Sequence, residues 1–492
     1  MPLIPLNIPP GQYRNGTEYQ SVGRWRDGNL IRFHEGSLRP VGGWRQRGSV
    51  DIAGVVRSML AWEDNSNSRR IAFGTHDKLF AMTAGNAVSD ITPVSFTAGR
   101  VDATLSVGFG ASTYGNDLYG TPRQDTATLL PATVWSLDNW GEYLVGCTID
   151  DGKLYEWQLD SGTPAAQIAN SPADCTALMV TEERFLFAFG AGGNPRKVQW
   201  SDREDNTEWT AATTNEAGDI ELQTNGVILR GLRTRGQAII LTDQDAHTAS
   251  YQGPPFVYGF ERVGTSCGLI AANAAVAIDP GVFWMGERSF FAYTGGAVQE
   301  LPCEVSDYVF SDLNTDQKSK ISAVVNSQWQ EIWWFYPSGA STECDRYVAY
   351  DYSQNVWITG DLGRTAGVDR GVFSKPMWIA ADGVLYEHEV GFAYSGASPF
   401  CESGPIALGA GDQVMSVRQL IPDERTLGDV AATFKTRFYP TSEEREYGPF
   451  SMANPTSVRF TGRQVRMRVD GNNAADWRVG IMRLDAVAGG LR

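Results

Sequence analysis

Histidine is almost missing from this chain: His34, His76, His247 and His388 are the only four in 492 residues. They lie far apart, so no segment offers the three neutral imidazoles common at a catalytic zinc. The six cysteines, Cys147, Cys175, Cys267, Cys303, Cys344 and Cys401, form no CxxC pair. That excludes a zinc ribbon and a disulfide-dense scaffold, and leaves reduced, buried thiols as the expectation. Long apolar runs are absent too. None approaches the roughly 18 uncharged residues of a membrane helix, so no membrane span is expected. The opening MPLIPLNIPPGQ has neither the basic region nor the apolar stretch of a signal peptide. Also missing are a G-x-S-x-G elbow, a Walker A loop, H-E-x-x-H and a Rossmann fingerprint. The expectation is a protein that is not an enzyme, with no catalytic residue, metal or cofactor.

Basic charge is in deficit. Lys and Arg number 41 against 57 Asp and Glu, for a formal charge of −16 and a pI near 4.8. A protein that grips a phosphate backbone normally carries the opposite sign.

What the sequence has is aromatic residues and glycine: 15 Trp, 18 Tyr, 22 Phe and 53 Gly. Aromatic strands broken by glycine turns favour all-β structure. Helical periodicity is confined to two brief stretches, 305–313 and 315–321. Seven strand-turn-strand units begin at Arg70, Glu142, Arg184, Gln237, Gly281, Glu331 and Pro376. In each, an apolar strand enters, a turn rich in Gly, Asp or Asn reverses it, and a second strand returns with an aromatic residue. Those residues are Phe80, Tyr155, Trp200, Tyr251, Tyr293, Tyr347 and Tyr386. After a longer first gap the units recur at about 40 to 55 residues, the period of a four-stranded propeller blade. A β-propeller of about six to eight blades is the reading, with a sandwich array or several small β domains as alternatives. The most apolar unit, EIWWFYP at Glu331–Pro337, reads as the inner strand of a blade, its rings filling the space between neighbours.

The first gap, 94–131, is dense in Gly, Ser, Thr and Asn and reads as a loop excursion, a linker or an irregular blade. Near the N-terminus a hairpin is expected, with strands at 29–33 and 38–44. A propeller closes by joining strands from both ends of its domain, because closure removes exposed edges. From about Val390 the texture changes. Val465, Met467 and Val469 alternate with Gln464, Arg466 and Arg468, as in a half-buried strand of a second, sandwich-type β domain. The expected division is an N-terminal arm at 1–22, a propeller at 23–390, and a C-terminal β domain at 391–492. The last would supply subunit contacts and, as an option, a closing strand.

Candidate chemistry is sparse. YEHE, Tyr386–Glu389, places Glu387 and Glu389 on one strand face and His388 on the other. A metal site and a solvated strand edge with one buried ring both fit, and the second is the simpler. Acidic pairs abound, at Asp150 and Asp151, at Asp202, Glu204 and Asp205, and at Glu443 and Glu444, so none is singled out for glycoside cleavage. WSDREDNTEW, Trp200–Trp209, lacks the glycine of a sialidase Asp-box and reads as a turn pinned by two indoles. Arginines gather near the C-terminus. Arg463, Arg466, Arg468, Arg478 and Arg483 are the candidates for contact with carboxylates of a neighbouring subunit. The alternative is a solvated face with local pairs such as Arg483 with Asp485.

Several phrases occur together: NIPPGQYRNGTEYQSVGRWRDGNLIRFHEGSLRPVGGW, PRKVQWSDREDNTEW, GVILRGLRTRGQAIILTD, TSCGLIAANA, FFAYTGGAVQELPCEVSDYVF, EIWWFYPSGASTECDRYVAYDY, GVLYEHEVG and DWRVGIMRLD. Together they resemble the tail nozzle, or tail hub (tubular tail protein B-like), family of short-tailed bacteriophages, over nearly the whole chain. The resemblance implies a propeller with an added β domain, assembled as a hexameric ring in the virion tail after synthesis in the host cytoplasm. It implies a tail adaptor above, and fibre, spike or needle proteins attached. Double-stranded DNA would pass through the ring during ejection without tight binding, which suits an acidic protein. The family supplies no catalytic residues. Two other functions stay open: a carbohydrate-binding or carbohydrate-cleaving propeller used in host recognition, and an intracellular scaffold propeller.

Overall fold

Each of the seven units is the middle pair of strands in a four-stranded antiparallel sheet. The computed structural model describes residues 3–105, 129–279, 281–407, 413–472 and 474–490, with the side chains of Ser49, Asp51 and Leu105 left aside. The first blade shows the pattern: Ser58–Glu63, Arg69–Gly74, Leu79–Thr83 and Val88–Asp90 follow one another as a meander. Blades 2 to 6 repeat it at 135–167, 177–221, 228–265, 275–301 and 322–361. Blade 7 takes three strands from 366–388, and its outermost strand, Trp44–Asp51, comes from the N-terminal side. The innermost strands touch in sequence and the seventh touches the first, so the ring is closed.

The second strand of each blade is covered on both faces by neighbouring blades, so it is largely apolar instead of alternating. In Glu331–Tyr336 all six residues are buried. This strand is the second of blade 6, not the innermost as expected; Ser322–Asn326 lies nearer the axis. The strand at the axis borders a cavity and so carries smaller, mixed side chains. The rings of the second strand do fill the gaps between blades. Trp333 and Phe335 meet Trp378 of blade 7 at 5.3 and 5.4 Å, while Trp334 meets Phe290 of blade 5 at 5.0 Å. Each such side chain contributes about 1.5–3 kcal/mol by burial. Tight turns join the strands, and at Gly236 the backbone takes φ +70°, which glycine reaches without a Cβ clash.

Two facing sheets form a β-sandwich. One holds Met415–Ile421, Thr456–Gly462, Arg483–Ala488 and Leu3–Pro5. The other holds Trp25–Asn29, Phe400–Ser403, Val430–Arg437, Arg445–Ser451 and Gln464–Gly471, with Ile406–Ala407 paired to the last. Phe434 and Phe460 meet between them at 4.9 Å. Val465, Met467 and Val469 point into this core. The N-terminal chain departs from the expected division. Residues 3–5 and 25–29 are strands of the sandwich, not a separate arm and the start of the propeller. Pairing over such sequence distances leaves no local pattern to read.

The hairpin Ile31–His34 with Ser37–Pro40 is shorter than expected, and Trp44 opens the closing strand of the propeller instead. This hairpin wedges between propeller and sandwich. One continuous apolar cluster joins Ile31, Phe33 and Leu38 to Trp333 and Phe335 on one side and to Val417 and Met467 on the other. The two brief helices are present, an α-helix at Ser306–Ser311 and a 3-10 turn at Thr315–Lys320. No helix among the described residues is long and apolar enough to cross a membrane. Residues 106–128 of the expected excursion lie outside the described residues.

Candidate functional site in the axial cavity

The seven innermost strands surround a cavity of about 420 Å³. Serine hydroxyls and the Asn273 amide stitch its wall. Ser58 Oγ donates to Trp135 O at 2.6 Å and Ser136 Oγ to Leu178 O at 2.9 Å, joining blade 1 to 2 and blade 2 to 3. Asn273 lies in the lead-in to blade 5, yet its Nδ2 donates to Arg57 O (2.9 Å) and Ser58 Oγ (3.0 Å) of blade 1. Blades 5 and 1 are not neighbours, so this side chain spans the axis and floors the cavity.

Beyond that floor a second layer seals the same end. Arg57 forks onto Glu343 at 2.7 and 3.0 Å and donates to Val101 O at 2.9 Å. Lys320, fully buried, bonds Asp102, Glu343 (3.0 Å) and Thr342 O (2.7 Å). Gln317 brackets Ala103 through both backbone groups at 3.0 and 3.1 Å. Burial pushes the Glu343 carboxyl up, but Arg57 and Lys320 outweigh it and hold it below the ordinary value. Residues 101–103 thus run across the end of the propeller, pinned to blades 1 and 6.

The cavity wall carries Arg230, whose Nη1 donates to Asn273 Oδ1 (2.6 Å) and Ala272 O (3.0 Å). Farther along the strands, Arg233 pairs with Asp138 at 2.7 Å. Burial raises the Asp138 pKa, and Arg233 and the Val180 and Asn139 N–H groups only partly offset it. None of these residues was singled out from sequence. The available signal was arginine at 230 and 233 within an otherwise apolar strand, ILRGLRT. A carbohydrate site calls for carboxylates and aromatics around the axis; here three arginines face two aspartates and one tryptophan, Trp135.

YEHE does not form one site. Glu387 takes Arg45 and Arg47 of the closing strand, each at 2.7 Å. His388 Nε2 accepts from Arg364 Nε at 3.1 Å while its ring stacks on Trp378 at 4.0 Å. Burial and then Arg364 push its pKa well below the usual value, so it is neutral. Glu389 turns inward to Arg32, away from Glu387, because it sits past the strand end with φ +57° and breaks the alternation.

The C-terminal arginines are likewise dispersed. Arg466 bonds Glu402 and Glu444 (3.1 Å), and Arg468 bonds Asp470 (2.8 Å) and lies over the Phe400 ring. Arg463 lies over the Tyr439 ring and Arg478 approaches Asp476 at 3.5 Å. Arg483 is exposed on the other sheet, and the structure records no pair with Asp485. The acidic clusters fix turns: Asp151 accepts from Thr97 N (3.0 Å) and Lys153 (3.1 Å), and Asp202 accepts from Glu216 N (2.7 Å). Trp200 and Trp209 pin the 202–217 loop through their indole N–H groups, to Glu216 O and Asn206 O. All six cysteines are free thiols.

Fold and site define a seven-bladed β-propeller, sealed at one end and joined to a β-sandwich. No family model matches the sequence, and no curated protein does. Solved structures similar to this chain include virginiamycin B lyase from Staphylococcus aureus, at 6% identity and a TM-score of 0.42 over 70% of this chain and 98% of that one. PorZ of the Porphyromonas gingivalis type-IX secretion system is similar at 7% identity and 0.38, over 76% of this chain and 44% of that one. The BBS1 N-terminal region solved with ARL6 is similar at 11% identity and 0.39, over 71% and 97%. These likenesses concern the fold alone. They correct one expectation: lyases are among the structures similar to this chain, so the exclusion of enzymatic activity drawn from missing motifs does not stand.

Proposed function

We propose that this chain is a structural subunit of a short phage tail, a nozzle or hub that assembles as a ring, conducts DNA during ejection and anchors tail appendages. The reading rests on the resemblance of its phrases to that family. The structural observation that carries it furthest is the N-terminal chain, which contributes to the sandwich, wedges between the two bodies and then closes the propeller. One continuous core makes propeller and sandwich a single stiff unit, as a part that transmits force requires. The axis of each propeller is crossed by Asn273, so a duplex has no route through one copy and would run between copies. An acidic protein suits that passage, since phosphates would slide with little adhesion.

Negative-stain microscopy and mass photometry of the purified chain, alone and with a tail adaptor protein, test the proposal. Rings of uniform size are the expected result. A monomer under both conditions overturns it.

A further inference from the structure

The axial cavity contains an arginine that no carboxylate meets with a hydrogen bond. Three arginines line it, and two have carboxylate partners: Arg57 has Glu343 and Arg233 has Asp138, each at 2.7 Å. Arg230 has none. Its Nη1 is held by Asn273 Oδ1 and Ala272 O, while Nε and Nη2 have no hydrogen-bond partner among the described residues. The lining also has two carboxylates, Asp138 and Asp369. Asp138 is engaged by Arg233, and Asp369 accepts from Ser327 N (3.2 Å) and Arg370 N (2.7 Å). Arg57 is offset by Glu343 and Arg233 by Asp138, so Arg230 is the lining arginine with no carboxylate of its own, Asp138 acting on it only through space.

Burial lowers the Arg230 pKa to about 10, partly countered by Asp138, so the half-buried group stays charged at neutral pH. A charge in that condition is stabilised by a counter-ion. The guanidinium fork matches the paired oxygens of a carboxylate or phosphate. Asn273 orients the fork by holding Nη1, which leaves the other edge for a ligand. The cavity, about 420 Å³ and floored by Asn273, admits a small anion and excludes a polymer.

We propose that the floor of the axial cavity is a binding site for a small oxyanion, a carboxylate or a phosphate, held by the free edge of Arg230. This stands apart from the tail assignment, since it concerns a single copy of the chain.

The test is calorimetry and thermal unfolding of the full chain with inorganic phosphate and, separately, with acetate, against chloride at matched ionic strength. Saturable binding of either oxyanion by the wild type is expected. Arg230→Gln is expected to weaken it about tenfold or more, the loss of one charge-assisted contact. Arg235→Gln, an exposed pair with Asp279 outside the cavity, is expected to leave it unchanged. Asn273→Asp covers the case in which Arg230→Gln does not fold, because it places a carboxylate against the guanidinium and is expected to abolish binding in a folded protein. No saturable response to either oxyanion in the wild type, or undiminished binding in a folded Arg230→Gln or Asn273→Asp, overturns the proposal. The phosphate and acetate arms decide between the two chemistries.

Discussion

Arg32 and Glu331 form a buried, two-pronged ion pair, Nε to Oε1 at 2.8 Å and Nη2 to Oε2 at 2.9 Å. It joins the N-terminal hairpin to the second strand of blade 6. The same guanidinium reaches Glu389 at 2.6 and 3.1 Å, past the end of blade 7. Trp333 and Trp329 donate to the two carboxylates at 3.0 Å, and Asn326 donates to Glu389 at 2.9 Å. Burial pushes the Glu331 carboxyl up against the pull of Arg32. In Glu389 burial also pushes up, but Arg32, Asn326 and Trp329 win. One cation thus ties the hairpin to two blades.

Arg32→Met should leave two carboxylates buried without their cation, at a cost of about 3–5 kcal/mol. Denaturant unfolding of the variant measures this. A change within about 0.5 kcal/mol would mean the pair is ornamental to folding.

The seam of the propeller should weaken in acid. Burial pushes the Glu387 carboxyl up, yet Arg45 and Arg47 hold it below its ordinary 4.5. Its contribution is therefore present above 4.5 and lost as pH falls through the folded value. His388 acts earlier. Its folded pKa lies well below 6.5, so under 6.5 the unfolded chain binds a proton that the folded one refuses, and stability drops. Burial lowers His247 in the same sense. The melting temperature should decline from pH 6.5 and fall more steeply below 4.5. His388→Gln should flatten the first limb and Glu387→Gln the second; a level melting temperature between 6.5 and 4.5 in the wild type would refute the account.

Trp334 tests the packing between blades 5 and 6. Its indole donates to Ala274 O at 2.9 Å, and that carbonyl also accepts from Met285 N at 3.1 Å. Losing the indole N–H leaves no orphaned acceptor, so the cost is chiefly volume. Trp334→Ala should lose about 3–5 kcal/mol. Trp334→Phe should lose less, and equal losses in the two variants would point away from packing.

Lys320→Met should free the segment that crosses the sealed end. Lys320 is buried, but Asp102 is 44% exposed and Glu343 keeps Arg57, so neither acid is stranded. The expected loss is about 1–3 kcal/mol, that of hydrogen bonds to a charged group. Amide exchange at 101–103 should accelerate while the blade strands stay protected. Unchanged exchange there would show that Gln317 and Arg57 suffice.

Local pattern carried the propeller far. All seven return-strand aromatics, from Phe80 to Tyr386, lie on the third strand of a blade. Blades 1 to 6 are consecutive meanders, so their pairings are local and their turns leave marks in glycine and asparagine. EIWWFYP was legible as a strand covered on both faces, but its place in the blade was not, since two-sided burial does not separate second from first. The axial cavity was not legible at all. Asn273 is 43 residues from Arg230 and 216 from Arg57 along the chain, and only ring closure brings them together.

The sequence by itself determined the strand content, the repeating blades and the apolar face of the last domain, because side-chain periodicity and turn chemistry act over a few residues. The tertiary structure alone decided where the N-terminal 51 residues go, which carboxylate each arginine meets, and that one arginine at the axis meets none. Those outcomes depend on closing a seven-membered circle, a condition that every blade satisfies jointly and no short segment encodes.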